Sequence, residues 1–240
     1  MRPFIYRTLI FSYFENDISQ TMIELQNISK SFPGRGQVLD ALSFRAAQGS
    51  SIAITGPSGS GKTTLLNIIG LLEKPDSGSI VFQGSDITGL SADAAAEYRN
   101  RNVGFIFQEH MLLPHLTIRE NIYLPFLAGG GTADDEHIAR LAERTGITGI
   151  MERHPFQVSG GEAQRAAFVR ALANKPALLL ADEPTGSLDR ANSDTLTQLL
   201  IELNSESGST LIVVTHSERL AAAMEHSYDL VDGKLTKKSR

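Results

Sequence analysis

An α/β fold follows from three features of the sequence. Short alternating strands open it, a glycine-rich loop joins a buried strand to an amphipathic helix, and strands alternate with helices through the final third. Together they predict a mostly parallel sheet covered on both faces, with an antiparallel β subdomain on the N-terminal side and a helical lobe inserted in the middle.

The elements come in order. Alternation over 23–28 and 38–47 predicts an antiparallel pair, joined through the turn-rich Phe32-Pro-Gly-Arg-Gly36. Residues 51–55 read as a buried strand and 62–72 as a helix, apolar at Leu65, Leu66, Ile69 and Leu72. A short strand comes next at 78–82. Ser91 caps a helix to about Arg99, 103–107 is a strand, and 117–127 and 134–145 are helical, with Gly129-Gly-Gly131 a flexible break between them. The last third gives a strand at 177–181, a helix at 192–203 with Leu196, Leu199, Leu200 and Leu203 on one face, a strand at 210–214, a short helix, and a strand at 227–231.

Bulk properties set outer limits. The 240 residues fit one domain over 22–240, with the helical lobe at roughly 109–172. Residues 1–21 do not share the clear strand pattern that Met22 opens, so Met22 is expected to be the natural start and 1–21 an extension. A net charge of -5 and pI near 5.7 argue against a broad nucleic-acid-binding surface. The chain has no cysteine, which excludes disulfides, thiolate metal sites and a cysteine nucleophile. No apolar run approaches the roughly 18 residues that span a bilayer, so no direct membrane insertion is expected.

Three segments carry chemistry. Gly56, Pro57, Ser58, Gly59, Ser60, Gly61, Lys62 and Thr63 match G-x-x-x-x-G-K-[ST], with Thr64 next in line. Glycines let backbone N–H groups turn inward around phosphates, and the helix after them points its positive end at the same anion. Lys62 is expected to reach the β- and γ-phosphates and the Thr63 hydroxyl to bind Mg²⁺. The second segment, Leu178-Leu-Leu-Ala-Asp182-Glu183, is an apolar strand ending in two carboxylates. Asp182 suits Mg²⁺ through water, and Glu183 suits orienting and deprotonating an attacking water. Taken alone, the same residues could simply end a strand at the surface. The third is Val158-Ser159-Gly160-Gly161-Glu162 at the start of a helix-compatible run to Ala173. It reads either as an ordinary N-cap or as a second anion site. Because the first loop already covers one side of a γ-phosphate, the simplest use of a second is a neighbour's ATP.

Ser159-Gly160-Gly161-Glu162, with Gln164-Arg165 and Arg170-Ala171-Leu172 behind it, resembles the signature motif of ABC-type ATPases. Over residues 22 to about 236 the other stations fall in order. Phe32 matches the adenine-stacking aromatic, Gln108 the Q-loop glutamine and a Mg²⁺ ligand, Ser187-Leu188-Asp189 the D-loop, and His216 the switch histidine. Alone, Phe32 could be a core aromatic, Gln108 a surface glutamine and His216 unremarkable. His110, His115, His137, His154 and His226 lack metal-ligand spacing and are assigned no chemistry.

The resemblance implies an ABC nucleotide-binding domain of the P-loop NTPase kind, with ATP and Mg²⁺ as ligands. Two copies, or a pair with a similar ATPase subunit, would sandwich ATP head-to-tail. Lys62, Thr63, Asp182, Glu183, Gln108 and His216 would come from one subunit and Ser159 and Gly161 from the other. The partners implied are integral membrane permease subunits, with the chain peripheral on the cytoplasmic face of the inner membrane.

The segment Val103-Gly-Phe-Ile-Phe-Gln108, then Leu112-Leu-Pro-His-Leu-Thr-Ile-Arg-Glu-Asn121, is similar to the branch of lipoprotein-releasing and macrolide-export ATPases. Ala163 and Val158 depart from that pattern without removing a phosphate contact. Lipoprotein release is the expected role. The alternatives are an efflux-pump ATPase, a regulatory ATPase of the cell-division kind that controls a cell-wall hydrolase, and a soluble ABC protein acting on DNA or ribosomes. Macrolide exporters usually carry fused membrane segments, which lowers their standing.

Overall fold

The computed structural model describes residues 21–238. Residues 1–20, most of the expected extension, lie outside the described residues. Two sheets form the frame. The strands β1 (Thr21–Phe32), β2 (Gly36–Ala47), β4 (Ser77–Phe82) and β5 (Ser85–Asp86) make a four-stranded antiparallel sheet in the order β2-β1-β4-β5. Thr21, placed in the extension by the sequence, pairs with Ala47.

The second sheet has six strands: β3 (Ser51–Thr55), β6 (Val103–Ile106), β7 (Leu178–Asp182), β8 (Thr210–Val214), β9 (His226–Val231) and β10 (Lys234–Lys237), in the order β10-β9-β3-β8-β7-β6. All neighbours are parallel except the β9–β10 hairpin. Side chains alternate across the sheet and so serve two cores. Leu178 and Leu180 of β7 face one core, built from the antiparallel sheet and the helix α1 (Lys62–Ile69). Leu179 and Ala181 face the other, filled by helices.

Those helices are α3 (Ile118–Gly129), α4 (Asp135–Arg144), α5 (Gly160–Leu172), α6 (Arg190–Ser207) and the short α7 (Glu218–Ala222); α2 (Ala92–Asn102) packs Tyr98 edge-on against Phe82 on the opposite side. The starts are fixed by capping side chains: Ser91, Thr117, Asp134, Ser159, Asp189 and Ser217 each accept a backbone N–H from the first turn. Among the described residues, no helix is long and apolar enough to cross a membrane.

Three local expectations need correction. Helix α1 ends at Ile69, not Leu72: Leu71 takes a positive φ of 54°, and Leu72 is exposed rather than on the apolar face. Gly70 follows the last helical residue, and a Cβ there would stand 2.2 Å from the Phe105 ring of β6, so only glycine fits at that position. Strands β5 and β10 are additional to those expected. Both close two-residue hairpins through Gln83-Gly84 and Asp232-Gly233, whose residues all have positive φ. The Asp-Gly pair is a hairpin signal in its own right.

Candidate functional site

The carboxyl ends of β3, β7 and β8 and the loop after β6 meet around a cleft of about 540 Å³. This is the edge at which open α/β sheets present loops to ligands. The loop after β3 supplies Ser58, Gly59, Gly61, Lys62, Thr63 and Thr64; Gln108, Asp182, Glu183, Gly186 and His216 come from the others. Residues far apart in sequence are therefore neighbours because parallel strands end together.

The loop works as a cradle because of its glycines. Gly56 and Gly61 have φ of 144° and 103°, and a Cβ would sit 2.2 Å from Leu230 O at Gly56 and 2.8 Å from Val38 Cγ1 at Gly61. Side chains are excluded on both counts. Gly61 begins α1 with no side-chain cap, which leaves first-turn N–H groups for an anion. Ser60 Oγ is buried and has no hydrogen-bond partner. Lys62 is 7% exposed and donates to Gly56 O at 2.9 Å and Pro57 O at 3.0 Å, with His216 Nε2 at 3.2 Å. Burial holds its ammonium below the usual lysine range, and the charges of Glu183 and Asp182 oppose that fall.

Asp182 is shifted the other way. Burial raises its carboxyl above the ordinary range, while a hydrogen bond from Thr63 pulls it back. Thr63, Asp182 and Gln108 line the same cleft and offer hard oxygen donors, the donor type that Mg²⁺ takes.

Glu183 is held at an unusual backbone angle, φ 46°, with its N–H on Val214 O at 2.9 Å and its carbonyl accepting from Gly186 N at 2.9 Å. A non-glycine residue rarely sits there, and such strain concentrates at working sites. Its two carboxylate oxygens are unequal. Oε2 accepts from Thr215 Oγ1 and His216 N, both at 3.1 Å. Oε1 is buried with no hydrogen-bond partner, with His216 Nε2 3.4 Å away. One oxygen fixes the side chain and the other is left to act.

Ser159 does not line this cleft, nor do Gly160, Gly161 or Glu162. They form a helix start with Ser159 and Gly160 exposed, Glu162 partly so and Gly161 buried. Ser159 Oγ accepts from Glu162 N and donates to Glu162 Oε2 at 2.7 Å, while Glu162 Oε2 also accepts from Ser159 N at 2.8 Å. Gly161 is close-packed, since a Cβ would stand 2.9 Å from Asn192 Oδ1. Ser187 donates to Gln108 O at 3.0 Å, and Asp189 caps α6 through Asn192 N at 2.9 Å. Phe32 lies outside the cleft lining, half-buried against the antiparallel core with Lys30 Nζ 5.1 Å from its ring centre.

Arg35 and Thr215 carry no signal in the sequence, and Gln164 carries only its place behind the signature motif. Arg35 lines the cleft and donates to Gly59 O at 2.6 Å. Only the fold brings its turn against the glycine loop. Thr215 is invisible as a polar end to an apolar strand until Glu183 is seen to bond it. The histidines assigned no chemistry make local contacts: His110 Nδ1 accepts from Leu112 N, His137 Nε2 lies 3.2 Å from Leu172 O, and His154 stacks on Phe156.

Comparison with known proteins identifies the family. Residues 39–186 match the family described as ABC transporter. The chain is 45% identical over 225 residues to lipoprotein-releasing system ATP-binding protein LolD 1 of Rhodopirellula baltica, covering 91% of this chain and 98% of that one. It is 42% identical over 226 residues to the macrolide export ATP-binding/permease protein MacB of Syntrophobacter fumaroxidans, with 91% of this chain and 32% of that one covered. Among solved structures it resembles the dimeric post-hydrolysis state of the ATP-binding cassette MJ0796 bound to ADP and Pi. The TM-score is 0.83 at 35% identity, covering 91% of this chain and 98% of that one.

Proposed function

The chain belongs to the ABC transporter family of ATP-binding proteins, and on that premise we propose that it pairs head-to-tail and drives lipoprotein release through a membrane partner. Its own reaction is the hydrolysis of ATP to ADP and phosphate. The observation that carries the residue assignment is Glu183, anchored through Oε2 while Oε1 is buried without a hydrogen-bond partner, 3.4 Å from His216 Nε2.

In this reading the loop from Gly56 to Thr64 wraps the phosphates, and Lys62 leaves the Gly56 and Pro57 carbonyls to meet the γ-phosphate. Glu183 Oε1 takes a proton from the attacking water as its oxygen bonds to the γ-phosphorus and the bond to ADP breaks. General-base help of this kind is worth roughly 10²–10⁴ in rate. His216 and Gln108 face the same space from opposite loops and report whether the γ-phosphate is present. Mg²⁺ held by Thr63, Asp182 and Gln108 would neutralise phosphate charge. Phe32 is the candidate for adenine, with the ring face as its contact surface. Because Ser159 and Gly161 stand away from their own chain's cleft, they are assigned to the ATP of the partner subunit. The dimeric ADP- and Pi-bound relative supports that pairing.

Lipoprotein cargo is supported by relatives named for lipoprotein release that align over nearly their whole length. The chain would then sit peripherally at the inner membrane, bound to integral permease subunits. One experiment tests both levels. Glu183→Gln should keep ATP affinity, lose at least about 100-fold in turnover, and, used as bait in solubilised membranes, retain an integral membrane partner carrying acylated protein. Near wild-type turnover would remove Glu183 from the role of base. A partner that binds only a cell-wall hydrolase, or recovery of ribosomes or DNA alone, would remove the cargo assignment.

A further inference from the structure

Strands β6 and β7 run in register to Ile106 and Ala181 and then part. β6 leads to Gln108 and β7 to Glu183, so the fork between them opens into the cleft. The ladder between the two strands does not continue beyond that last pair. A side chain from a helix spans the fork instead. Gln164, 1% exposed, reaches in from α5 and donates from Nε2 to Phe107 O at 2.7 Å and to Pro184 O at 3.2 Å. Phe107 immediately precedes Gln108, and Pro184 immediately follows Glu183.

The surroundings make this choice of residue specific. Ala163, Ala166 and Ala167 bury the same stretch of α5 with small apolar side chains, so a buried amide is the exception there. An amide with two N–H donors suits two carbonyls that face the same point, and a leucine or methionine would leave both unpaired. Gln108 itself packs over the same fork, its Nε2 3.2 Å from where a Cβ of Gly186 would stand. Ser187 Oγ adds a second stitch on Gln108 O.

We propose that Gln164 is a positioning residue for ATP hydrolysis: its amide sets the separation of the Gln108 and Glu183 segments and ties both to the helix that begins at Ser159. This rests on the assignment of Glu183 and Gln108 to the reaction. Since Ser159 and Gln164 stand on the same short helix, the end lent to a neighbour's nucleotide and the grip on the chain's own cleft move as one piece. The phosphate loop receives no contact from Gln164, so a lesion there should spare ATP binding and fall on turnover.

The test uses the full-length protein with Gln164→Met, which keeps the unbranched shape and removes both donors, and Gln164→Leu as a second replacement. Fluorescent ATP-analogue affinity and steady-state turnover are measured for each beside Glu183→Gln. Affinity within about twofold of wild type with turnover down about tenfold is expected. Wild-type turnover in either folded variant overturns the proposal. Parallel loss of affinity and turnover in both also overturns it, because Gln164 would then only hold the domain together. If Glu183→Gln turns over normally, the assignment of the base has failed instead, and the two failures are told apart.

Discussion

Two helix starts in this molecule are assigned to phosphate in the proposed function, and they are built differently. At α1 the N-cap is Gly61, there is no side-chain cap, and the first side chain is a buried lysine. At α5 the N-cap is Ser159, both arms of a capping box are made with Glu162, and Ser159 is exposed. An uncapped start with a cation beside it holds an anion strongly by itself. A capped start carries no net cation of its own and contributes only where an anion is delivered to it. The contrast supports the proposal that the first start binds nucleotide and the second completes a partner's site.

The largest predicted effects separate the two starts. Lys62→Ala should weaken ATP binding roughly 30-fold or more, equivalent to about 2 kcal/mol. Ser159→Ala should leave binding to the isolated subunit intact while lowering turnover about tenfold. Its lost cap should cost about 1 kcal/mol, seen as a fall of roughly 2–4 °C in melting temperature. Mixed together, the two impaired proteins should recover activity to about a quarter of wild type, since about half the pairs would contain one intact cage of two. Equal mixtures that form pairs and gain no activity would break the division of labour.

A smaller effect sharpens the electrostatics of the first site. Asp182 has a carboxyl raised by burial, so its ionised form is disfavoured in the native state. That cost is complete above the folded value and disappears as pH falls below the ordinary carboxylate range. Asp182→Asn should therefore raise the melting temperature of the nucleotide-free protein by roughly 2 °C near neutral pH and by nothing near about pH 3, while hydrolysis is lost. Calorimetry at the two pH values decides it, and no gain at neutral pH would mean the cleft solvates this carboxylate well.

The smallest effect belongs to the second site. Hydrogen bonds from the Ser159 backbone and hydroxyl hold the Glu162 carboxyl below its usual range. The stabilisation is present above the unfolded value and is lost as pH falls through the folded one. Because this carboxylate is largely solvated, Glu162→Gln should lower the melting temperature by only about 1 °C near neutral pH, with the gap closing as pH falls below the ordinary glutamate range. A gap that persists in acid would assign the effect to packing rather than to the charge.

Much of the site was legible because its parts are local. The glycine loop, the acidic strand end and the Ser-Gly-Gly-Glu start are contiguous, and each needs its residue types for reasons that hold within a few residues. Helix starts were legible for the same reason: capping side chains act over three positions. The end of α1 was not: Leu71 leaves helical geometry with a positive φ although the apolar spacing runs on to Leu72.

The sequence by itself determined which groups can bind phosphate, which carboxylates end a buried strand and which turns need glycine, since these depend on backbone geometry and near neighbours. Only the tertiary structure decided that Thr215 fixes one oxygen of Glu183 and leaves the other without a hydrogen bond, that Arg35 meets Gly59, and that Gln164 spans the fork before Gln108 and after Glu183. Those contacts join residues 20 to 57 positions apart. Thr215 meets Glu183 because parallel strands from distant parts of the chain end at one edge, while Arg35 arrives from a turn of the other sheet and Gln164 from a helix; none of these approaches leaves a mark in the order of residues along the chain.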